Sequence, residues 1–193
     1  MTIAVAALLA PACLDHFRQP IYEGRRIGAW FSDACLGANL ANRADPELKK
    51  RSAAAWSAFG RMDSNAIPFL VRMLQTPDSH LSSQMIVSAR NVDSLAPLAR
   101  RMILPSDKRR VAAALLAALQ TRSKSSLPHL VEAFQKESDR NIKSAYVSAI
   151  AVISRAPPRE LVGNLYTESF DNYAQRVIRH AQQRHPHLFV KEP

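Results

Sequence analysis

The 193-residue chain has little cysteine and little glycine, with only Cys13 and Cys35 and five glycines. Two cysteines cannot build a disulfide framework, and their spacing matches no zinc-binding signature. The apolar content is 47% and consists mainly of Ala and Leu, which favour helices. No segment alternates apolar and polar residues as a half-buried strand does. We therefore predict a folded, all-α protein.

Residue patterns for catalysis or cofactor binding are also missing. We find no glycine-rich phosphate loop, Ser-His-Asp context, Cys-His pair or carboxylate pair. His180, His185 and His187 are close in sequence, but their spacing fits neither a zinc motif nor a helical i, i+4 pair. We interpret them as exposed residues of a frayed end, and His80 and His129 as surface residues. The sequence predicts no enzyme, no cofactor and no metal site.

Acidic residues are also few relative to basic ones. The chain has 26 Lys and Arg against 16 Asp and Glu, giving a net charge of +10. Such a balance is compatible with an anionic partner such as nucleic acid or acidic lipid. Arginine greatly outnumbers lysine, which genomic base composition explains as readily as phosphate recognition. The basic sets 49–51 and 108–110 open helices, where the helix dipole disfavours cations, and we interpret most of their members as solvated residues.

The clearest structural unit is a pair of helices between Asp107 and Gln135. In the first helix, apolar residues recur at i, i+3, i+4, i+7 and i+8: Val111, Ala114, Leu115, Ala118 and Leu119. The polar segment 121–126 then interrupts this stripe. A second helix follows, with Pro128 near its start, where a missing N–H has no cost. Neither helix can bury its stripe alone, but a stack of such pairs can.

Similar pairs precede and follow this unit. The first begins at Asp45 and Pro46, an N-cap followed by a proline, and its first helix is predicted to end at Gly60. In the second and weakest pair, Leu81, Met85 and Ala89 share the predicted apolar face. The fourth pair spans 139–166, and the predicted apolar face of its first helix consists of Ile142, Ala145, Tyr146, Ala149, Ile150 and Ile153. Aromatic residues at 22–31 and an amphipathic helix over 169–184 are predicted to cover the two ends of the stack. The apolar face of that last helix consists of Phe170, Tyr173, Val177, Ile178 and Ala181.

The units recur with a period of about 30 residues. Four prolines near the starts of second helices are separated by 29, 31 and 30 residues: Pro68, Pro97, Pro128 and Pro158. Four candidate N-capping aspartates are separated by 33, 29 and 32: Asp45, Asp78, Asp107 and Asp139. A period in this range with two helices per unit is typical of an α-solenoid, and we predict one of about four helix pairs with terminal capping helices.

Two kinds of segment in the sequence resemble those of a known protein family. The pattern Asp-x-x-[Leu/Ile]-Lys, found at Asp45, Leu48 and Lys49 and again at Asp139, Ile142 and Lys143, is similar to the first helix of short bacterial HEAT repeats. The second and third copies depart from it. The segment 22–30, Tyr-x-Gly followed by Trp, resembles the lead segment of such repeats in exported or membrane-anchored bacterial proteins. The resemblance covers roughly 21–182 and implies an armadillo-like helical scaffold for protein binding, without specifying a task.

We predict three regions: an apolar N-terminal segment over 1–20, the repeat domain over 21–185 and a frayed tail over 186–193. The run from Ile3 to Leu14 is uncharged and resembles the hydrophobic part of an export signal, but it is too short to span a bilayer. A packed N-terminal helix explains it equally well. Export or membrane association through this segment and a cytoplasmic location therefore remain alternatives.

In a stack of helix pairs the second helices line the concave side, where partners bind. The polar residues there that we predict to bind the partner are Arg72, Arg100, Arg101 and Glu132. Arg72 and Arg101 each follow a repeat proline by four residues, whereas Glu132 occupies this place in the third copy. A stripe of mixed charge favours a protein over a phosphate backbone. We expect a monomeric, non-catalytic scaffold for an unknown protein partner, for which an acidic protein is one option. The alternative is a basic HEAT-like nucleic-acid-binding protein, with DNA-lesion processing as one such activity.

Overall fold

A computed structural model describes residues 19–38, 45–62, 64–77, 80–92, 94, 102–156 and 169–190. Helices dominate these residues, which confirms the predicted all-α class. Several predictions concern residues outside the described ones: the N-terminal run with Cys13, the cap Asp78, the repeat prolines Pro97 and Pro158, and the second helix of the fourth pair. Among the described helices, none has the length and hydrophobicity needed to cross a membrane.

The first described element is a small hairpin that the sequence did not predict. Strands β1 (Ile21–Tyr22) and β2 (Arg25–Arg26) pair antiparallel through a turn at Glu23 and Gly24. Both turn residues have positive φ, 49° and 73°, as a two-residue hairpin turn of type I′ requires. Two-residue strands are too short to produce an alternating pattern, so only the glycine marks the turn.

Eight α-helices follow within the described ranges: α1 (Ile27–Ala38), α2 (Pro46–Arg61), α3 (Ile67–Leu74), α4 (His80–Arg90), α5 (Pro105–Ala118), α6 (Leu127–Lys136), α7 (Arg140–Ser154) and α8 (Phe170–Arg184). Three 3-10 helices connect or extend them: Ser64–Ala66, Gln120–Ser126 and Pro186–Leu188. The polar segment before α6 is thus itself helical. It is stabilised by the buried hydroxyl of Ser123, which donates to the Leu116 carbonyl at 2.7 Å.

Two of the predicted helix caps are confirmed and two boundaries are wrong. Asp45 and Asp139 cap α2 and α7, each accepting from two backbone N–H groups. Asp107 is not a cap: α5 begins at Pro105, which leaves Asp107 in the first turn. Gly60 does not end α2 either, since the helix continues to Arg61 and the φ of Gly60 is not positive.

Helix α5 is at the centre of the core. It packs against α1, α2, α3 and α7, and α7 packs in turn against α6 and α8. Because neighbours surround α5, its buried residues extend beyond the predicted stripe to Ala112, Ala113 and Leu116, whereas Ala118, which was predicted to lie on the stripe, is exposed. The predicted stripe of α7 is confirmed, with Tyr146 and Ile150 fully buried. The helices predicted to cover the ends of the stack both contribute to this core, α1 through Trp30 and Phe31 and α8 through Val177.

The order of packing differs from four successive pairs. In a regular stack each unit contacts only its sequence neighbours. Here α3, from the first predicted pair, packs directly against α5 and α6 of the third. In α4, from the second pair, Met85 was predicted to face the core but is 73% exposed; Ile86 is buried instead, without belonging to the core cluster of the described residues. Serines at positions where the other copies have alanine explain the weak apolar face of this helix.

The C-terminus also differs from the prediction. Residues Pro186–Leu188 form a 3-10 helix directly after α8, and Leu188 and Phe189 pack against the core. The described part of the predicted tail is therefore docked. The apolar run Leu188–Val190 is too short to indicate this packing from sequence alone.

Candidate functional site

The exposed face formed by α3 and α6 contains the described members of the predicted partner-binding set. Pro68 and Pro128 each occupy the second position of their helix, as predicted. Arg72 and Glu132 follow these prolines by four residues, and both are exposed. Because α3 and α6 pack against each other, two helices in contact place opposite charges at equivalent positions. We call this surface the α3/α6 face.

Arg100 and Arg101 lie outside the described residues. The predicted alignment of Arg101 with Arg72 on one face therefore stays a prediction. Among the described second helices, the one that contacts α3 is α6, so the residue equivalent to Arg72 on that helix is Glu132 rather than a second arginine.

A cleft of about 470 Å³ opens beside the α3/α6 face. Its walls come from the end of α3, from α5, from α6 and from the connection between α6 and α7. The lining residues are Leu74, Gln75, Thr76, Pro77, Arg109, His129, Glu132, Ala133, Lys136, Glu137, Ser138 and Tyr146. A volume of this size is in the usual range for ligand pockets. The cleft therefore adds a concave region to a face that is otherwise made of two exposed helices.

A buried ion pair forms the floor of the cleft. Arg109 Nε donates to Glu137 Oε2 at 2.9 Å, and the two side chains are only 7% and 6% exposed. Arg109 Nη1 also donates to the Thr76 carbonyl at 2.9 Å. One guanidinium thus joins α5 to the end of α3 and to the end of α6. Our interpretation of the basic set 108–110 as mostly solvated is wrong for Arg109.

The acceptors of Glu137 are all engaged. Oε2 accepts from Arg109, while Oε1 accepts from the backbone N–H groups of Ser138 and Asp139 at 3.0 Å each. A carboxylate held by three donors is poorly placed to take a proton from a substrate, because proton transfer would break these bonds. The Arg109–Glu137 pair therefore holds the walls of the cleft together, and Glu137 is poorly suited to act as a general base.

The polar residues at the mouth of the cleft are much more accessible. Lys136 Nζ pairs with Glu132 Oε1 at 2.6 Å, with 75% and 50% of the two side chains exposed. A solvent-exposed i, i+4 pair of this kind contributes only about 0.3–0.5 kcal/mol, so an incoming group can displace it at little cost. His129 is exposed on the same helix, as the sequence predicted. The mouth therefore presents both signs of charge for recognition.

Several other arginines also join separate elements of the fold through hydrogen bonds. Arg25 and Arg51 donate to the two oxygens of Asp33, a carboxylate that is 2% exposed, at 2.7 and 2.5 Å. Arg122 donates to the Gly60 carbonyl at 2.8 Å, across 62 residues of sequence. Part of the large positive charge is therefore engaged in joining elements. The sequence could not show this, because these pairs are distant along the chain.

The other residues considered from sequence are structural. Trp30 is buried and donates from its indole Nε1 to the Tyr22 carbonyl at 3.0 Å, while Trp56 packs partly buried against the core. Both tryptophans lie on apolar stripes of their helices, which favours core packing over base stacking on a nucleic acid, and their contacts confirm core packing. Burial raises the pKa of the Cys35 thiol to about 12. Among the residues that the structure describes, no three His, Cys, Asp or Glu side chains are grouped to hold a metal ion.

Comparisons of the chain with protein-family models, with curated proteins and with solved structures give no match.

Proposed function

We propose that the chain is a HEAT-like α-solenoid in which the first and third helix pairs pack directly against each other, and that it acts as a non-catalytic scaffold for protein–protein interaction, with the α3/α6 face and its cleft as the binding surface. The observation that carries the proposal is the packing of α3 against α6, two second helices of the predicted repeat, with Arg72 and Glu132 exposed at equivalent positions. Second helices line the concave face of a solenoid. A cleft with a buried, paired floor and accessible charged residues at its mouth is better suited to binding a partner than to catalysing a reaction.

In this mechanism the partner supplies a carboxylate for Arg72 and a segment that enters the cleft. An arginine fork binds a carboxylate through two parallel hydrogen bonds, which gives orientation as well as affinity. Glu132 and Lys136 would exchange their mutual pair for groups of the partner. Because the mouth of the cleft has both positive and negative side chains, a uniformly negative phosphate backbone fits it less well than a protein with mixed charges.

A photo-crosslinking amino acid at position 72 tests the proposal. In cells that naturally contain the protein, we expect a discrete protein adduct from position 72 and none from position 50, an exposed site on α2 away from the proposed surface. A charge reversal at Glu132, Glu132→Lys, should strongly reduce the adduct without lowering the melting temperature. Equal crosslinking from both positions, or none from position 72, would contradict the proposal.

The net charge of +10 supports one alternative, a HEAT-like protein that binds nucleic acid. The two functions differ in salt dependence, since neutralising several phosphates makes affinity fall steeply as salt rises. Titrating labelled random duplex DNA into the protein at low and at physiological salt separates them. We expect no binding at low salt; tight binding that is lost with added salt would favour the alternative.

A further inference from the structure

His185 is at the junction between the last helix and the docked C-terminal segment. Its backbone N–H donates to the Ala181 carbonyl and ends α8, and its own carbonyl accepts from Leu188 N–H at 3.0 Å, within the following 3-10 helix. The residue is only 8% exposed. His185 was predicted to be an exposed residue of a frayed end, but it is buried at the junction between α8 and the 3-10 helix that follows.

The buried ring leaves one nitrogen unsatisfied. His185 Nε2 is inaccessible to solvent and has no hydrogen-bond partner. A neutral imidazole tolerates this arrangement if Nε2 is the nitrogen that lacks the proton, because an unpaired acceptor costs less than an unpaired charged donor. An imidazolium carries a proton on both nitrogens, so the charged form would bury an unpaired N–H together with its charge.

Among the described residues, the groups whose charge acts on His185 are all basic. They are Lys124 from the 3-10 helix before α6, His180 and Arg184 from α8, and His187 from the segment that follows. Burial lowers the pKa of His185, and these four groups lower it further. The negative end of the α8 dipole opposes the shift. It is the weaker effect, because burial without a hydrogen-bond partner penalises the charged form more strongly.

We propose that His185 makes the docking of the C-terminal segment acid-sensitive: protonation of the enclosed ring releases residues 186–190 from the core. Release gives the imidazolium water as its acceptor and separates it from Lys124. In exchange, Leu188 and Phe189 lose their packing against the core. The device would uncover this side of the core and the end of α8 as the surroundings become acidic, independently of whether the α3/α6 face binds a partner.

The sign of the pH dependence follows from linkage. A histidine whose pKa is lowered by docking binds fewer protons docked than released, so docking strengthens as pH rises. Its contribution is fully present above the ordinary value of 6.5 and is lost as pH falls from there through the lowered pKa of the docked state. The opposite pattern, with docking strongest in acid, would hold for a histidine that a carboxylate stabilises as a cation.

Amide hydrogen exchange of the full-length chain tests the proposal at Leu188 and Phe189, whose N–H groups donate to His185 and Pro186. Between about pH 7.5 and about pH 5.5, across the ordinary histidine pKa, we expect their protection factors to fall by up to about tenfold, the limit that one histidine sets, while those in the centre of α7 stay constant. His185→Gln, which cannot take up the proton, should remove the pH dependence. His187→Gln, at the exposed neighbour, should keep it.

An NMR titration keeps the proposal open to refutation if His185→Gln fails to dock. In the wild-type chain we expect the His185 ring to titrate below the ordinary histidine value of 6.5, and Lys124→Gln to move its pKa upward, because one of the four basic groups is removed. A role in packing alone would not respond to Lys124. The proposal is overturned if His185 titrates at or above 6.5, or if protection at Leu188 does not change with pH.

Discussion

Arg109 and Glu137 are 28 residues apart in sequence, yet Nε of the first is 2.9 Å from Oε2 of the second, and both side chains are buried. The pair joins α5 to the end of α6, and the additional bond to Thr76 includes the end of α3. Three elements thus converge on one guanidinium. The shape of the cleft depends on this convergence more than on any residue at its mouth.

Arg109→Met should lower the free energy of unfolding by about 3–5 kcal/mol, because it leaves Glu137 buried as an uncompensated charge. Glu137→Gln should also destabilise the protein, whereas the double variant should lose less than the sum of the two single variants. Urea denaturation measures all three. Lys136→Met, beside the pair but 75% exposed, is the control and should change stability by less than about 0.5 kcal/mol. Strict additivity would mean that the ion pair is not coupled.

Two helical glycines should respond in opposite directions to alanine. A Cβ at Gly60 meets nothing within 4 Å, so Gly60→Ala should stabilise α2 by about 0.5–1 kcal/mol through helix propensity. A Cβ at Gly37 collides with Cβ and Oγ of Ser52, where α1 and α2 approach closely. Gly37→Ala should therefore cost about 1–3 kcal/mol. Thermal denaturation compares the pair, and equal effects would contradict the close approach of the two helices.

Arg51 and Lys50 are adjacent in α2 and differ in what they contact. Arg51 donates to the buried carboxylate of Asp33 at 2.5 Å, whereas Lys50 is exposed to solvent. Arg51→Met should cost about 1 kcal/mol, since Arg25 still pairs with Asp33 and half of the Arg51 side chain is already solvated. Lys50→Met should have no measurable effect. Equal stability of the two variants in urea would show that Arg51 is also a solvated residue.

The thiol of Cys35 should be inert in the folded protein. Its pKa is raised from 9.0 to about 12, so the thiolate fraction near neutral pH is roughly a thousandfold lower than that of an ordinary cysteine, and burial blocks access as well. In a Cys13→Ser variant, a thiol reagent should react with Cys35 only at the rate at which the protein unfolds. Urea should restore full reactivity. Rapid labelling without denaturant would mean that α1 opens locally.

Helices and their buried faces could be predicted from sequence, because an apolar stripe at helical spacing reports which side of a helix is buried. The faces of α7 and α8 are correct for this reason. For α5 the pattern is too dense to resolve a stripe, since a helix with neighbours on several sides is apolar around most of its circumference. Met85 and Ile86 show the limit of the method, because adjacent apolar residues on α4 leave two faces equally plausible and packing selects Ile86.

The candidate site was predictable only in part. The repeat prolines indicated the second helices, and therefore Arg72 and Glu132, because a local signal fixes a residue's place on its helix. The cleft was not predictable, because it depends on which helices become neighbours. The same holds for Arg109: nothing near position 109 distinguishes this buried arginine from the half-buried Lys108 and Arg110 beside it, since its partner Glu137 comes from the end of another helix.

The contact between α3 and α5 has a consequence for how the chain reaches its native state. In an array where every unit rests on the next one in sequence, order can spread from any point along the chain. Here α3 must wait for a helix that begins about 30 residues later, and closing a loop of that length costs entropy before any contact rewards it. During synthesis, the N-terminal half should therefore remain without its supporting surface until α5 has emerged.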